Sequence, residues 1–297
     1  MDIWHKIGRI VRISNLGTLI FFLLNIGLIL LIFCPYGITA ESAIPLLICY
    51  IATVLISVSP LGEWILAALA GAREIKRQDI KIRLIPLLEV VFEQAKEKTP
   101  SMVSSIRLKI IHDQSPNAFA IGRKTICVTD GLLNLSDDEI MAVFAHELGH
   151  LAYKHSSIQL LIGGGNIFVS GCLLIIKLIC WMITGLFTLF AIGTKRIGQG
   201  LLITAIGGIS SLLIWLWTKF CMLFLMWSMR QNEYIADDYA RKLGYGETLA
   251  GVLDNQLCST PENGLLKALY STHPRSDDRI AKLQENGVNY SRFITQY

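Results

Sequence analysis

Two histidines four residues apart, with a glutamate between them, are the first residues in this chain able to do chemistry: His146-Glu147-Leu148-Gly149-His150. On a helix, positions four apart share a face, so His146 and His150 can offer both imidazoles to one metal ion. Glu147, one step round, can approach water at the ion's open position and take its proton. Flanking Ala145, Leu148 and Leu151 are apolar, which makes this a buried helix. Buried histidines beside a carboxylate need a reason, and a cation supplies one. The ligand types point to zinc, one Zn2+ ion per chain.

A catalytic zinc takes a third protein ligand and keeps one position for water. Where the third ligand is a histidine, it stands six residues after the second, and that position is Ser156. His155 is one residue early, beside Lys154, and reads as a helix-end residue. The other solution is a glutamate on a later helix with an aspartate four residues on. Glu233-Tyr234-Ile235-Ala236-Asp237 supplies it, with both carboxylates on one helical face. Glu233 would bind the metal, and Asp237 would accept the outer N–H of a histidine ligand and fix its tautomer. Asp238 points elsewhere and reads as solvated.

The elements that must hold these residues can be read around them. Ser136-Asp137-Asp138-Glu139 is a capping box that opens the His-Glu helix, which then runs to about His155. Ile106, Leu108 and Ile110 alternate with Arg107 and Lys109 as a half-buried strand. Asn117–Ile121 and Thr125–Thr129 make two more strands around Gly122-Arg123. Pro86 followed by Leu87, Leu88, Val91 and Ala95 reads as a helix with proline in its first turn. The piece from Lys219 onward reads as mostly helical.

Charge is distributed very unevenly. The 297 residues carry 27 Lys+Arg and 23 Asp+Glu, yet 17–60 holds one charge, Glu41, and 156–229 holds four and no acid. Two apolar stretches near 17–34 and 43–60 are each long enough to cross the hydrocarbon layer. A cleavable signal is the lesser reading of the first, because a second long span follows at once. His150 and Glu233 must meet on one ion, so an even number of crossings separates them, and 156–218 provides two. Lys177 then falls near the bilayer centre. Lys6, Arg9, Arg12, Arg73, Lys76, Arg77, Lys81 and Arg83 flank one side of the spans; Lys195 and Arg196 lie on the other. Eight against two places the N-terminus and the charged domain in the cytoplasm. The expected division is 1–70 (a membrane hairpin), 71–155 (first catalytic piece), 156–218 (second span pair) and 219–297 (second catalytic piece). The seven cysteines form no C-x-x-C pair and show no regular spacing, so neither a thiolate metal site nor a disulfide framework is suggested.

At these residues the chain resembles the HtpX-like family of membrane-bound zinc endopeptidases, in the gluzincin group and related to the CAAX prenyl endopeptidases. The likeness rests on Ser115-Pro116-Asn117-Ala118-Phe119-Ala120, the His146–His150 motif, Arg230–Asp237, and Thr272-His273-Pro274 with Arg279-Ile280. It implies an α-helical integral membrane protein of about four spans with a mainly α (α+β) metalloprotease domain and a small β-sheet. It further implies that Asn117–Ala120 is an edge strand able to pair with an extended substrate. His273 or Arg279 would meet the charged reaction intermediate. Arg275 and Ser276 replace a second proline found in many relatives. Partners would be unfolded or misassembled membrane proteins and the lipid bilayer, in quality control or stress response at a bacterial inner membrane.

Two other readings share the motifs: a CAAX-type prenyl-protein endopeptidase, which is a longer protein with about seven spans, and a catalytically silent membrane scaffold. The intact set His146, Glu147, His150 and Glu233 weighs against the scaffold. Nucleic-acid binding has no support, since the net charge is +4 and no basic-aromatic stripe appears. No pattern sets an oligomeric state.

Overall fold

The computed structural model describes residues 15–194, 197–255 and 274–292. It divides into two compact units, one comprising 16–55 and 162–227, the other 56–161 with 228 onward. These divisions fall at Ile56, Leu161 and Ser228, where sequence reading placed them after 70, 155 and 218.

The first unit is built on four helices long and apolar enough to cross a membrane: α1 (Leu16–Phe33), α2 (Ala40–Ser57), and the long helices of which α6 (His155–Gly193) and α7 (Ile197–Lys242) are the later pair. Tyr50 anchors its interior, its ring set edge-on against Phe22 and Phe168 beside Ile29 and Val169. Leu31, Leu178, Trp181 and Leu213 stay exposed, the surface expected of helices that meet hydrocarbon. At about 1.5 Å per residue, the 39 residues of α6 and 46 of α7 extend well beyond the ~30 Å hydrocarbon layer. The surplus belongs to the other unit. Lys177 is exposed on α6 and makes no ion pair among the described residues.

The second span ends earlier than expected. Ser59 and Pro60 interrupt the apolar run, with Ser59 Oγ accepting from the Gly62 amide and Pro60 opening a new helix, α3 (Pro60–Leu69). Proline in the first turn needs no N–H donor, so the chain restarts there at no hydrogen-bonding cost. After β1 (Arg73–Glu74), α4 spans Gln78–Lys98 and carries Pro86 in its interior, not its first turn. Ile80 and Leu84 are buried ahead of the proline. Their packing offsets an interior proline's cost of about 3 kcal/mol.

The sheet holds β1, β2 (Arg107–Ile111), β3 (Ala118–Ile121) and β4 (Thr125–Thr129) in the order β1-β2-β4-β3. β2 and β4 run parallel, and β3 pairs antiparallel with β4, which among the described residues leaves β3 at the edge. Next comes α5 (Asp137–Ala152), opened by the expected capping box: Ser136 and Glu139 each receive the other's backbone N–H. Arg83 on α4 fixes the approach to α5. Its Nη1 and Nη2 donate to the carbonyls of Leu133 and Leu135 at 2.6 Å each, and its Nε to Asp137 at 2.9 Å. The core joins Leu84 and Val91 of α4, Ile126 and Val128 of β4, and Ile140, Phe144 and Leu148 of α5. Leu249 and Leu253 of α8 (Gly246–Asn255) and Leu283 of α9 (Ser276–Glu285) close it.

Gly149 permits a close approach of two helices. A Cβ there would lie 3.0 Å from Ala236 Cα and 3.1 Å from Tyr239 Cβ, so α5 and the C-terminal part of α7 meet nearly backbone to backbone. Gly149→Val should therefore lower stability by about 1–3 kcal/mol through overpacking. It should also weaken metal binding, because Gly149 is where α5, which carries both histidines, meets the helix that carries Glu233. Thermal unfolding and metal titration of the purified variant check both effects; an unchanged midpoint would show that the two helices can separate freely.

Candidate metal centre

α5 is buried on nearly all sides because its capping box and core residues seat it inside the unit. Four-residue spacing therefore aims His146 and His150 at the same point. His146 Nε2 and His150 Nε2 lie 3.1 Å apart. Glu233 arrives from α7, with one oxygen 3.6 Å from His146 Nε2 and the other 3.3 Å from His150 Nε2. Zinc bound tetrahedrally at about 2.0–2.1 Å separates its ligand atoms by about 3.3 Å, so these spacings fit a zinc ion. All three residues are about 95% buried. Two nitrogens and a carboxylate are also the donor types zinc takes in catalytic sites. Glu147 is buried beside them, its Oε1 4.0 Å from His146 Nε2.

Behind the ligands stands a buried network. His146 Nδ1 donates to Asp237 Oδ1 at 2.9 Å. Arg279, on α9 and 4% exposed, closes a fork on Asp237: Nε donates at 2.8 Å and Nη2 at 2.5 Å. Its Nη1 lies 3.5 Å from Glu233 Oε2. Burial opposes charge on all of these groups, yet their mutual contacts win. Burial would raise the Asp237 carboxyl, but Arg279 and then His146 hold it well below the usual carboxylate range. Burial likewise pulls His146 down, while its hydrogen bonds to Asp237 and Glu233 push it up to about 10. A histidine ligand must be neutral, so protons and a metal ion compete for its Nε2.

His155 departs from its expected place at the end of the His-Glu helix. α5 stops at Ala152, and Lys154 adopts a left-handed conformation with φ 63°. His155 then opens α6, 2% exposed, with its Nδ1 3.2 Å from His150 Nδ1. Helical spacing could not find it, since the helix breaks between the two residues. Arg279 was anticipated as a contact to the reacting group; the structure turns its guanidinium to Asp237 and Glu233 instead. Asn117 precedes edge strand β3, and its backbone is tied to Thr129, whose Oγ1 accepts the Asn117 N–H at 2.8 Å. His273 lies outside the described residues. Cys127 is a packed core residue, fully buried in β4, its thiol pushed up to about 12 by burial.

The sequence matches the model of peptidase family M48 over residues 87–286. It is 26% identical over 267 residues to a protein named Protease HtpX homolog from Halobacterium salinarum, covering 75% of this chain and 83% of that one. A Neisseria meningitidis protein of the same name is 31% identical over 218 residues, covering 67% and 71%. The crystal structure of S. mikatae Ste24p aligns with a TM-score of 0.42 at 20% identity, covering 80% of this chain and 56% of that one. The family match spans both ligand-bearing helices and the Asp237–Arg279 network, and the relatives extend it across most of the chain. The chain belongs to peptidase family M48, as an HtpX-like membrane metalloprotease.

Proposed function

We propose that this protein is a zinc-dependent endopeptidase that cuts unfolded or misassembled membrane proteins, with its catalytic unit and N-terminus in the cytoplasm. The observation that carries the reading is the convergence of His146, His150 and Glu233 with Glu147 beside them, in a buried site backed by Asp237. His146, His150 and Glu233 would hold the ion. When bound, zinc supplies a Lewis acid that polarises a carbonyl and brings the pKa of water from ~15.7 toward ~7. Glu147 takes the proton from the attacking water and returns it to the leaving amine. Asp237 keeps the proton of His146 on Nδ1, so that Nε2 faces the centre with its lone pair.

Substrate would enter in extended form. β3 is an edge strand packed beside α5, and its outer N–H and C=O groups face no other strand among the described residues. Strand addition there would lay a peptide alongside the His-Glu helix. Orientation rests on the basic residues near the span ends, and the quality-control role on the family resemblance. Four candidate spans among the described residues favour this reading over a prenyl-protein endopeptidase with about seven.

Metal removal tests the proposal. Protein purified in detergent and stripped with a chelator should lose cleavage of casein, and one equivalent of zinc per chain should restore it. Binding of one zinc without cleavage of casein or of any unfolded membrane-protein substrate would support the scaffold reading instead.

A further inference from the structure

A cavity is present that none of the metal-site residues lines. It has a volume of about 470 Å3, between α3, the loop at 103–105, β2 and the β3–β4 turn. Its walls carry Arg107, Arg123 and Lys124, and none of the three makes an ion pair among the described residues. Lys109 also lines it and is paired with Glu74 at 3.5 Å. One acid, Glu63, faces the cations, but its carboxylate is already engaged. Thr125 Oγ1 donates to one oxygen at 2.5 Å, and the Arg123 backbone N–H to the other at 3.4 Å. Strand register holds the cations together: Arg107 pairs with Thr125 across β2 and β4, and its N–H donates to the Lys124 carbonyl at 2.7 Å. Three cations against one carboxylate leave the cavity with a net positive charge, which favours an anion.

The chain also sets its surroundings. α3 begins three residues after Ser57 ends the second spanning helix, a reach of at most about 11 Å. Its Leu61, Trp64, Ile65 and Leu69 are 56, 63, 40 and 68% exposed and form one uncovered apolar stripe. A helix with such a stripe, starting three residues after a candidate span, has the character of a membrane-interface helix. Tryptophan is enriched at that depth, and Trp64 is on the rim of the cavity. Anions at headgroup depth are lipid phosphates, and a zwitterionic headgroup brings its own cation. Arginine matches phosphate through parallel N–H donors.

We propose that this cavity binds the phosphate headgroup of an anionic phospholipid, whose acyl chains run along the apolar stripe of α3. The site is independent of proteolysis, so its test does not depend on the metal centre. The full-length protein, delipidated in detergent, would be titrated with phosphatidylglycerol or phosphatidylcholine, and retained lipid read by native mass spectrometry. Each basic side chain at a charged lipid surface is worth about fivefold in affinity. Parent protein should prefer phosphatidylglycerol by at least about tenfold, and R107Q/R123Q/K124Q should erase the preference while still binding one zinc per chain. R123Q alone, at an exposed turn, should reduce the preference and serves if the triple variant does not fold. Equal retention of both lipids, or a preference that survives these substitutions, would overturn the proposal. So would displacement of the lipid by equimolar inorganic phosphate, which would make the cavity a site for soluble anions.

Discussion

Glu147→Gln should bind one zinc per chain, unfold at or above the parent temperature, and cleave casein about 10²–10⁴-fold more slowly. The activity loss is what a positioned general base contributes, and it corresponds to about 2.7–5.4 kcal/mol of transition-state free energy. Zinc retention follows from the geometry. The three converging ligand atoms belong to His146, His150 and Glu233, while Glu147 Oε1 stands 4.0 Å from the nearest imidazole nitrogen. The stability effect follows from burial. Glu147 is 5% exposed, and a buried carboxylate is held in place for chemistry at a cost in solvation. Glutamine keeps the shape and removes the charge. Zinc analysis, a thermal scan and a cleavage assay on one preparation separate the roles. Loss of zinc would make Glu147 a ligand, and full activity would assign the base elsewhere.

What could be read from the sequence was whatever is local. The His146–His150 spacing, the Ser136–Glu139 capping box and the Glu233–Asp237 pair each declare themselves within five residues. Each depends on the helical period alone. The four apolar helices were legible for the same reason, since length and absence of charge suffice to recognise them. Breaks were harder. The run near 43–60 merged a span with the start of α3, although Ser59-Pro60 carried the signal of a cap followed by a first-turn proline. Pro86 was placed at a helix start because propensity favours that position. Tertiary burial of Ile80 and Leu84 overrode the preference. His155 escaped because Lys154, a non-glycine residue in left-handed conformation, turns the chain there. No residue pattern announces such a turn.

The interface role of α3 was hidden in a similar way. Its apolar face lengthened a hydropathy signal already present in the preceding span. Its polar contact, Glu63 to Thr125, joins residues 62 apart in sequence. Long-range polar contacts of this kind leave no period to read. The same holds at the metal site. The resemblance brought Arg279 into view, but no spacing could show that it faces Asp237, 42 residues away.

That pair sets the second large effect. Arg279→Met should lower stability by about 3–5 kcal/mol, the cost of leaving a buried charge without its partner. Asp237 is 2% exposed and Glu233 5%, and Arg279 is within 3.5 Å of both. Methionine fills similar space but cannot balance either carboxylate. Asp237→Asn in the Arg279→Met background should recover much of the loss, since the uncompensated charge at Asp237 is then gone. That double variant should still bind zinc about 10–100-fold more weakly than the parent, because His146 has lost the carboxylate that fixes its tautomer. Denaturant midpoints and zinc titrations across the four proteins of this cycle measure both terms. Additive stability losses would mean that Arg279 and Asp237 act separately. Unchanged zinc affinity in the double variant would mean that His146 is oriented by other groups. A stability deficit that is rescued while the affinity deficit persists would assign Arg279 to balancing the buried charge and Asp237 to holding the ligand.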